Sequence, residues 1–458
     1  MLNCFAYNTQ VPTIVIIPIC QTDFAKWVTM QSVRIKNLVL ANDFSAEPNT
    51  FCLVIDQNGR LEKVLLGLAT NDDFLAFAVL PKILPPGFYC IDAPDFSSMQ
   101  LEHAAIGWGI GNYQFTRYKK SKEFTAKFLC DKNYDINKIN TVVTAVFLVR
   151  DLINMPASDL YPEKLAEVAE NLAKEFGAEF NKVTGDELRK SFPAVYAVGQ
   201  GSEKQPLLID LRYGDVNAPK VVLVGKGVCF DSGGLQLKTA SGMLLMKKDM
   251  AGAAHALGLA RMIMAAKLPM NLRVIIPAVE NLASGDSLKP GDVITTRKGL
   301  SLEITNTDAE GRLILADALT LACEWEPKLI LDFASLTAAA RIALGPDIVA
   351  LFSEDHQLAQ DIIAAMTKEQ EPVWRLPLYQ PYLEFLKSEI ADFKNSATVE
   401  SPGATIAALV LEQFVSPKIK WAHFDMTAYN AKSKPGKPEG GEAMCLKGVF
   451  EFLRNKFL

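Results

Sequence analysis

Beyond Tyr161, short apolar runs alternate with longer amphipathic ones. Leu207 to Arg212, Val221 to Val224, Arg273 to Val279 and Lys328 to Phe333 are brief and bounded, which predicts buried strands. Pro162 to Phe176, Met250 to Lys267 and Leu313 to Trp325 are longer and predict helices, the first with a proline in its opening turn. Strands alternating with helices predict parallel pairing through crossovers, hence an α/β fold with a doubly wound, mostly parallel central sheet. The first 135 or so residues read differently. Ile14 to Ile19, Phe51 to Ile55, Phe74 to Val79 and Phe88 to Ile91 predict strands, and Leu101 to Asn112 a glycine-containing helix. Asn140 to Ile153 predicts a connecting helix that stops before Pro156. The expected organisation is a smaller N-terminal α/β domain over 1–138 with an assembly or regulatory role, a connecting helix over 139–158, and a larger domain over 159–458. Near the C-terminus, Lys432 to Gly441 reads as a loop and Met444 to Leu458 as a closing helix.

Composition narrows the classes. Hydrophobic residues make up 49% and charged residues 22%, enough apolar material for sizeable cores. The net charge of −5 argues against a general nucleic-acid or anionic-membrane binder. Lys119 to Lys127 is basic and reads as a solvated connection. No apolar run reaches the ~18 residues that span a bilayer. Val11 to Cys20 is apolar but holds two prolines and lacks a basic leader, so it reads as a strand rather than a targeting segment. The eight cysteines form no Cys-x-x-Cys pair and read as scattered reduced thiols of a cytoplasmic protein.

The candidate chemistry concentrates in two stretches. Asn306-Thr-Asp-Ala-Glu-Gly-Arg312 follows a strand-like run, Leu300 to Thr305, and precedes a helical one. Asp308 and Glu310 offer hard oxygen donors suited to divalent cations, and Arg312 a bidentate anion contact. The same spacing, Thr307 to Glu310, also fits a helix capping box. Upstream, Val224 to Gly234 is a glycine-rich loop after a strand and carries Lys226 and Asp231; Asp249 stands just before the Met250 to Lys267 helix, as its cap or as a further ligand. Strand ends of α/β sheets are where ligands are held. Four carboxylates in one pocket raise each other's pKa values, a cost that two divalent cations remove, and a deprotonated Lys226 would serve as a ligand beside them. Only four histidines exist and no His-Glu-x-x-His, so a metal site has to be built from carboxylates. His255 reads as a helix residue and Cys229 as a packing residue.

These stretches resemble the leucyl aminopeptidase family. Asn306 to Leu313 matches its signature, and Gly225 to Gly234 with Lys238 to Asp249 matches its other metal-binding segment. Weaker similarity covers Arg150 to Pro156, Ala197 to Ser202, Glu371 to Pro377 and Trp421 to Asp425. The resemblance implies a cytosolic homohexamer with two zinc or manganese ions that cuts the first residue from peptides with a free N-terminus. Aminopeptidases are established users of such paired sites. It implies that Asp231 and Glu310 bridge the two metals, that Asp308 completes one site by side chain and main-chain carbonyl, and that Lys226 and Asp249 complete the other. Lys238 would stabilise the oxyanion, and Arg312 would hold a bicarbonate that shuttles a proton. Met246, Ser335, Thr337 and Ala338 would line the side-chain pocket. Here the family's Thr-Leu-Thr-Gly is replaced by Ser335-Leu336-Thr337-Ala338, which implies an altered preference.

Two other readings are weaker. Gly225-Lys226-Gly227 resembles part of a phosphate-binding loop but lacks the Gly-x-x-x-x-Gly-Lys-Ser/Thr spacing. Architectural DNA binding, a second role of some relatives, meets the acidic charge balance.

Overall fold

The structure, a computed structural model, describes residues 2–7, 12–132, 134–398 and 401–458. Val11, the start of one apolar run above, lies outside them. The chain forms two compact units, Met1–Phe147 with Ala431–Glu439, and Leu148–Asn430 with Gly440–Leu458. The segment Ala431–Glu439, expected as a loop of the larger domain, groups with the smaller unit. No local pattern announces such a return of the chain.

The smaller unit holds β1 (Phe5–Tyr7), β2 (Thr13–Cys20), β3 (Phe51–Ile55), β4 (Leu61–Leu68), β5 (Gly87–Ile91), helix α1 (Ser98–Gly111) and β6 (Ala126–Cys130). Its sheet runs β1-β6-β5-β2-β4-β3, with β3 antiparallel to β4 and the other pairs parallel. Helix α1 starts in a capping box in which Ser97 and Gln100 satisfy each other's backbone amides. Phe74 to Val79, expected as a strand, is instead a 3-10 helix spanning Phe74–Lys82. The run is apolar on every side, and periodicity cannot separate a buried strand from a buried helical segment. It packs so tightly on α1 that a side chain at Gly107 would meet the Phe74 carbonyl oxygen.

Helix α2 (Ile136–Asn154) begins in the smaller unit and ends in the larger one. There α3 (Pro162–Phe176), β7 (Glu179–Thr184), β8 (Leu207–Tyr213), β9 (Lys220–Gly225), β10 (Gly227–Asp231), α4 (Ala251–Ala265) and β11 (Asn271–Asn281) follow. Next come β12 (Val293–Thr295), β13 (Ser301–Glu303), α5 (Gly311–Glu324), β14 (Leu329–Ala334), α6 (Ala338–Leu344), β15 (Val349–Phe352), β16 (Val373–Arg375), β17 (Phe393–Lys394), β18 (Lys420–Asp425) and α7 (Leu446–Phe457). The main sheet runs β16-β15-β18-β14-β9-β11-β8-β7, with β10 continuing beside β11. Its centre, β18-β14-β9-β11, is parallel; β8 and β7 add antiparallel strands at one edge, and β15 opposes β18 near the other. β12, β13 and β17 make a small separate sheet.

Alternation places the core. Val222 and Val224 of β9 join a cluster with Leu315, Ala318 and Leu319 of α5, while Val221 and Leu223, equally buried, point to the other face. Helix α4 packs against β9 and β14. Strands buried on both faces read as continuous apolar runs, which is why β9, β11 and β14 stand out in the sequence. The consequence for function is rigidity: the loops at the C-terminal ends of β9, β10 and β14 hang from a fully buried parallel core.

Candidate metal centre and substrate cleft

Each candidate side chain sits at the end of an element that fixes it. Lys226 is the first residue after β9; its amide donates to Phe333 O of β14 and its carbonyl accepts from Ala253 of α4. Asp231 closes β10. Beyond it Gly233 (φ +91°) and Gly234 (φ +66°) take the left-handed turn that glycine allows, and Lys238 returns with its amide bonded to Ser232 O. Asp249 follows a 3-10 turn, Met246–Lys248, and comes just before α4. It does not cap that helix. Asp308 and Glu310 lie between β13 and α5. The capping-box alternative is not what forms: Thr307 Oγ1 donates to Gly233 O at 2.6 Å, and the Glu310 side chain turns to Lys226. Gly311 makes room for this, since a Cβ there would lie 2.8 Å from Lys226 Nζ.

Lys226 Nζ is 2.6 Å from Asp249 Oδ2, 2.9 Å from Glu310 Oε1 and 3.3 Å from Ser335 O, one acceptor for each ammonium proton. Lys238 Nζ is 2.7 Å from Asp231 Oδ2 and also pairs with Asp308 Oδ1. Oxygens of Asp231, Asp308 and Glu310 lie within 4.8 Å of one another. Asn281, at the end of β11, donates through Nδ2 to Asp231 Oδ1 (2.9 Å), Thr307 O (3.0 Å) and Glu310 Oε2 (3.3 Å). Ser335 Oγ donates to Asp249 Oδ1 at 2.8 Å.

Crowding of charge shows in the titration of these groups. Burial, and then the Asp231 carboxylate, push Glu310 up to about 8. Asp249 is raised mainly by burial, against the pull of Lys226, and Asp308 by burial and Asp231. Burial disfavours the Lys226 ammonium, but Asp249, Glu310 and Asp231 outweigh it and raise its pKa; Lys238 is raised by Asp231 and Asp308 in the same way. Such a set, hard oxygens pushed together at a cost that only positive charge relieves, fits divalent cations. Lys226 can join as a ligand once cations take over its present role of counter-charge and its proton leaves.

The carboxylates open into a cleft of about 170 Å³, lined also by Met246, Lys248, Ser335, Thr337, Ala338, Arg341, Met426 and Thr427. Its wall is the turn between β14 and α6. Asp425, the last residue of β18, holds that turn by accepting from the amides of Leu336 (2.9 Å) and Thr337 (3.2 Å) and from Thr337 Oγ1 (2.6 Å). Burial pulls Lys248 down to about 8.

Of the candidates, Lys226, Asp231, Lys238, Met246, Asp249, Asp308, Glu310, Ser335, Thr337 and Ala338 all border this one cleft. Arg312 does not. It is buried in the first turn of α5, with Nη1 on Asn395 O at 2.8 Å, and burial pulls its guanidinium down to about 10. Its Nε is buried with no hydrogen-bond partner. Cys229 packs inside the sheet. His255 sits within α4, its ring bonded to Ala251 O and the Met444 amide. Asn281, Lys248, Arg341 and Thr427 were given no role by the sequence reading, and Asp425 entered it only as the end of the weakly similar segment Trp421 to Asp425. Asn281 and Asp425 had one signal, a polar residue ending a buried strand.

A doubly wound sheet with a carboxylate-and-lysine cation site at its strand ends defines a class, the α/β proteins that hold metal beside a substrate cleft. Within that class the comparisons are specific. The cytosol aminopeptidase family, catalytic domain, matches residues 147–449, and the M17 aminopeptidase N-terminal domain matches 14–130. A solved cytosol aminopeptidase from Coxiella burnetii is 47% identical, with each chain fully covered and a TM-score of 0.97. The bottromycin maturation enzyme BotP, solved in complex with Mn, is 31% identical over 97% of this chain and 99% of its own, with a TM-score of 0.88. A probable cytosol aminopeptidase of Geotalea uraniireducens is 39% identical over 90% of this chain and 89% of its own. The chain belongs to the cytosol aminopeptidase family. It is an exopeptidase hydrolase of a metal-dependent kind. No helix among the described residues is long and apolar enough to cross a membrane.

Proposed function

We propose that this protein removes N-terminal amino acids from peptides with a free amine, using two divalent ions, zinc or manganese, held by Lys226, Asp231, Asp249, Asp308 and Glu310. The observation that carries the reading is the convergence of these five side chains on one cleft, with Asp231, Asp308 and Glu310 oxygens within 4.8 Å of one another. When bound, such ions supply Lewis acidity and bring the pKa of a water into the neutral range.

The chain's own residues do the rest. Asn281 and Ser335 orient the carboxylates from behind. Lys238, fixed between Asp231 and Asp308, presents positive charge where an oxyanion would develop, a contribution of typically about 3 kcal/mol. Met246, Thr337 and Ala338 receive the side chain of the first residue. Arg312 is the residue the family resemblance gives to a bicarbonate, and its buried, unsatisfied Nε supports an anion partner just outside the cleft lining. The resemblance further implies a homohexamer acting in the cytoplasm on peptides, with a smaller N-terminal domain that serves assembly or regulation.

Chelation tests the reading. It should abolish hydrolysis of leucyl amide, and Mn²⁺ or Zn²⁺ should restore it. Equal hydrolysis of the N-acetylated substrate would refute it, because no free amine would then be needed. Light scattering at micromolar concentration tests the hexamer; a monomeric mass would exclude it.

A further inference from the structure

Within the cleft, each carboxylate of the cation site already has a lysine: Asp249 and Glu310 pair with Lys226, Asp231 and Asp308 with Lys238. Two further cations border the same cleft and are not spent this way. Lys248 Nζ rests on Thr427 O at 2.9 Å. Arg341 is exposed, pairs with no carboxylate among the described residues, and its positive charge acts on that of Lys248. It lies on α6 three residues beyond Ala338, so both project from one face of the helix, and both line the cleft. Ala338 belongs to the wall assigned above to the substrate's first side chain. Apolar Met246 and Met426 border the same space. An apolar stem with a cationic end matches a side chain of a few methylenes tipped by a carboxylate.

We propose that Arg341 is a specificity residue that binds a carboxylate on the substrate's N-terminal residue, so that the cleft favours peptides beginning with an acidic residue, glutamate above all. The inference rests on the aminopeptidase reading and deepens it. Arginine suits the task because its planar guanidinium engages a carboxylate through two parallel hydrogen bonds. The pair would be partly exposed, which limits its contribution.

The test compares glutamyl and glutaminyl amides, nearly equal in shape and different in charge, on the Mn²⁺-loaded full chain. Wild type should favour the glutamyl substrate in kcat/KM by roughly fivefold, the upper range for a solvent-accessible ion pair. Arg341→Met should bring that ratio to about one or below, Arg341→Lys should keep part of it, and high salt should erode it in wild type. Calorimetric titration should show L-glutamate binding more tightly than L-glutamine, a difference Arg341→Met removes. Equal rates on the two substrates, or the same ratio in Arg341→Met as in wild type, would overturn the proposal while leaving aminopeptidase activity on leucyl amide intact. Loss of all activity on unblocked substrates in wild type would instead overturn the reading beneath it.

Discussion

Asn281 Nδ2 lies 2.9 Å from Asp231 Oδ1, and the same nitrogen reaches Glu310 Oε2 at 3.3 Å. One buried amide thus ties the end of β10 to the start of α5, the segments that supply Asp231 and Glu310, two of the carboxylates proposed to hold the cations. The pair sits in register across two parallel strands, Asp231 opposite Asn281, so the backbone ladder sets the contact. Residues behind a metal's ligands fix ligand orientation, and their loss typically lowers metal affinity by about 10–100-fold.

Asn281→Ala is therefore expected to fold, to bind Mn²⁺ about 10–100-fold more weakly, and to recover activity at high metal concentration. Metal titration against a competing chelator measures this. An unchanged affinity would mean that Asp231 and Glu310 hold their positions without the amide.

Gly311 offers a steric check on the same site. A Cβ there would stand 2.6 Å from Lys226 Cε and 2.8 Å from Nζ. Alanine is the better helix former by about 1 kcal/mol, so Gly311→Ala should cost nothing in helix propensity. Any loss must come from displacing Lys226. We expect intact secondary structure by circular dichroism together with weakened metal binding and activity; wild-type metal affinity would show that Lys226 moves aside without consequence.

How much of this could be read from the residues follows from how local each signal is. Asp308, Glu310 and Arg312 are neighbours in one turn, and Lys226 and Asp231 share one loop after an apolar strand, so short patterns reveal them. The joining of these stretches rests on strand ends being where α/β sheets hold ligands and on the cations that crowded carboxylates call for, and family resemblance agrees with it. Asn281 had only one faint signal, a polar residue ending a buried strand: its partners Asp231 and Thr307 lie 50 and 26 residues away, so its role is silent in the local sequence. Arg341 was silent too, since an arginine on a short helix reads as solvated surface. The strand expected at Phe74 to Val79 failed for the opposite reason, being apolar throughout and so without a period. The helix Pro162–Phe176, with an amphipathic face, a proline at its start and a glycine past its end, was legible to the residue, while the other predicted helices shift by one to four residues at their ends.

His255 gives a pH dependence away from the cation site. Burial drives its imidazole down to about 4, against the hydrogen bond that its ring donates to Ala251 O, while the Met444 amide donates to Nε2, a bond only the neutral ring can accept. The folded state thus holds the neutral ring, whereas an unfolded histidine gains a proton below about 6.5. The unfolded state then binds more protons, so stability falls as the pH drops from about 6.5 towards 4. Between pH 7 and 5 this one group should cost about 2 kcal/mol. Chemical denaturation at both pH values should show that loss in wild type and a smaller one in His255→Gln, whose own acid sensitivity must come from other groups. Equal losses in the two proteins would remove His255 as the cause.

The sharpest division falls between Asp308 and Lys238, which touch each other but have different tasks. Asp308 is assigned as a metal ligand, so Asp308→Ala should lose metal and activity together, as should Glu310→Ala. Lys238 pairs with Asp231 and Asp308 yet is assigned to charge that appears only during the reaction. Lys238→Ala should then keep its metal while kcat falls by roughly 10²–10³, the scale of losing one oxyanion donor, with little change in KM. Removing its positive charge would even favour cations at the neighbouring carboxylates, so metal affinity should hold or rise. Arg312→Ala should also retain metal, with a smaller defect, and added bicarbonate should stimulate wild type more than this variant. Metal analysis and steady-state kinetics on the same preparations decide the matter. If Lys238→Ala loses its metal, the lysine is part of the scaffold of the cation site and the oxyanion must be held by another group.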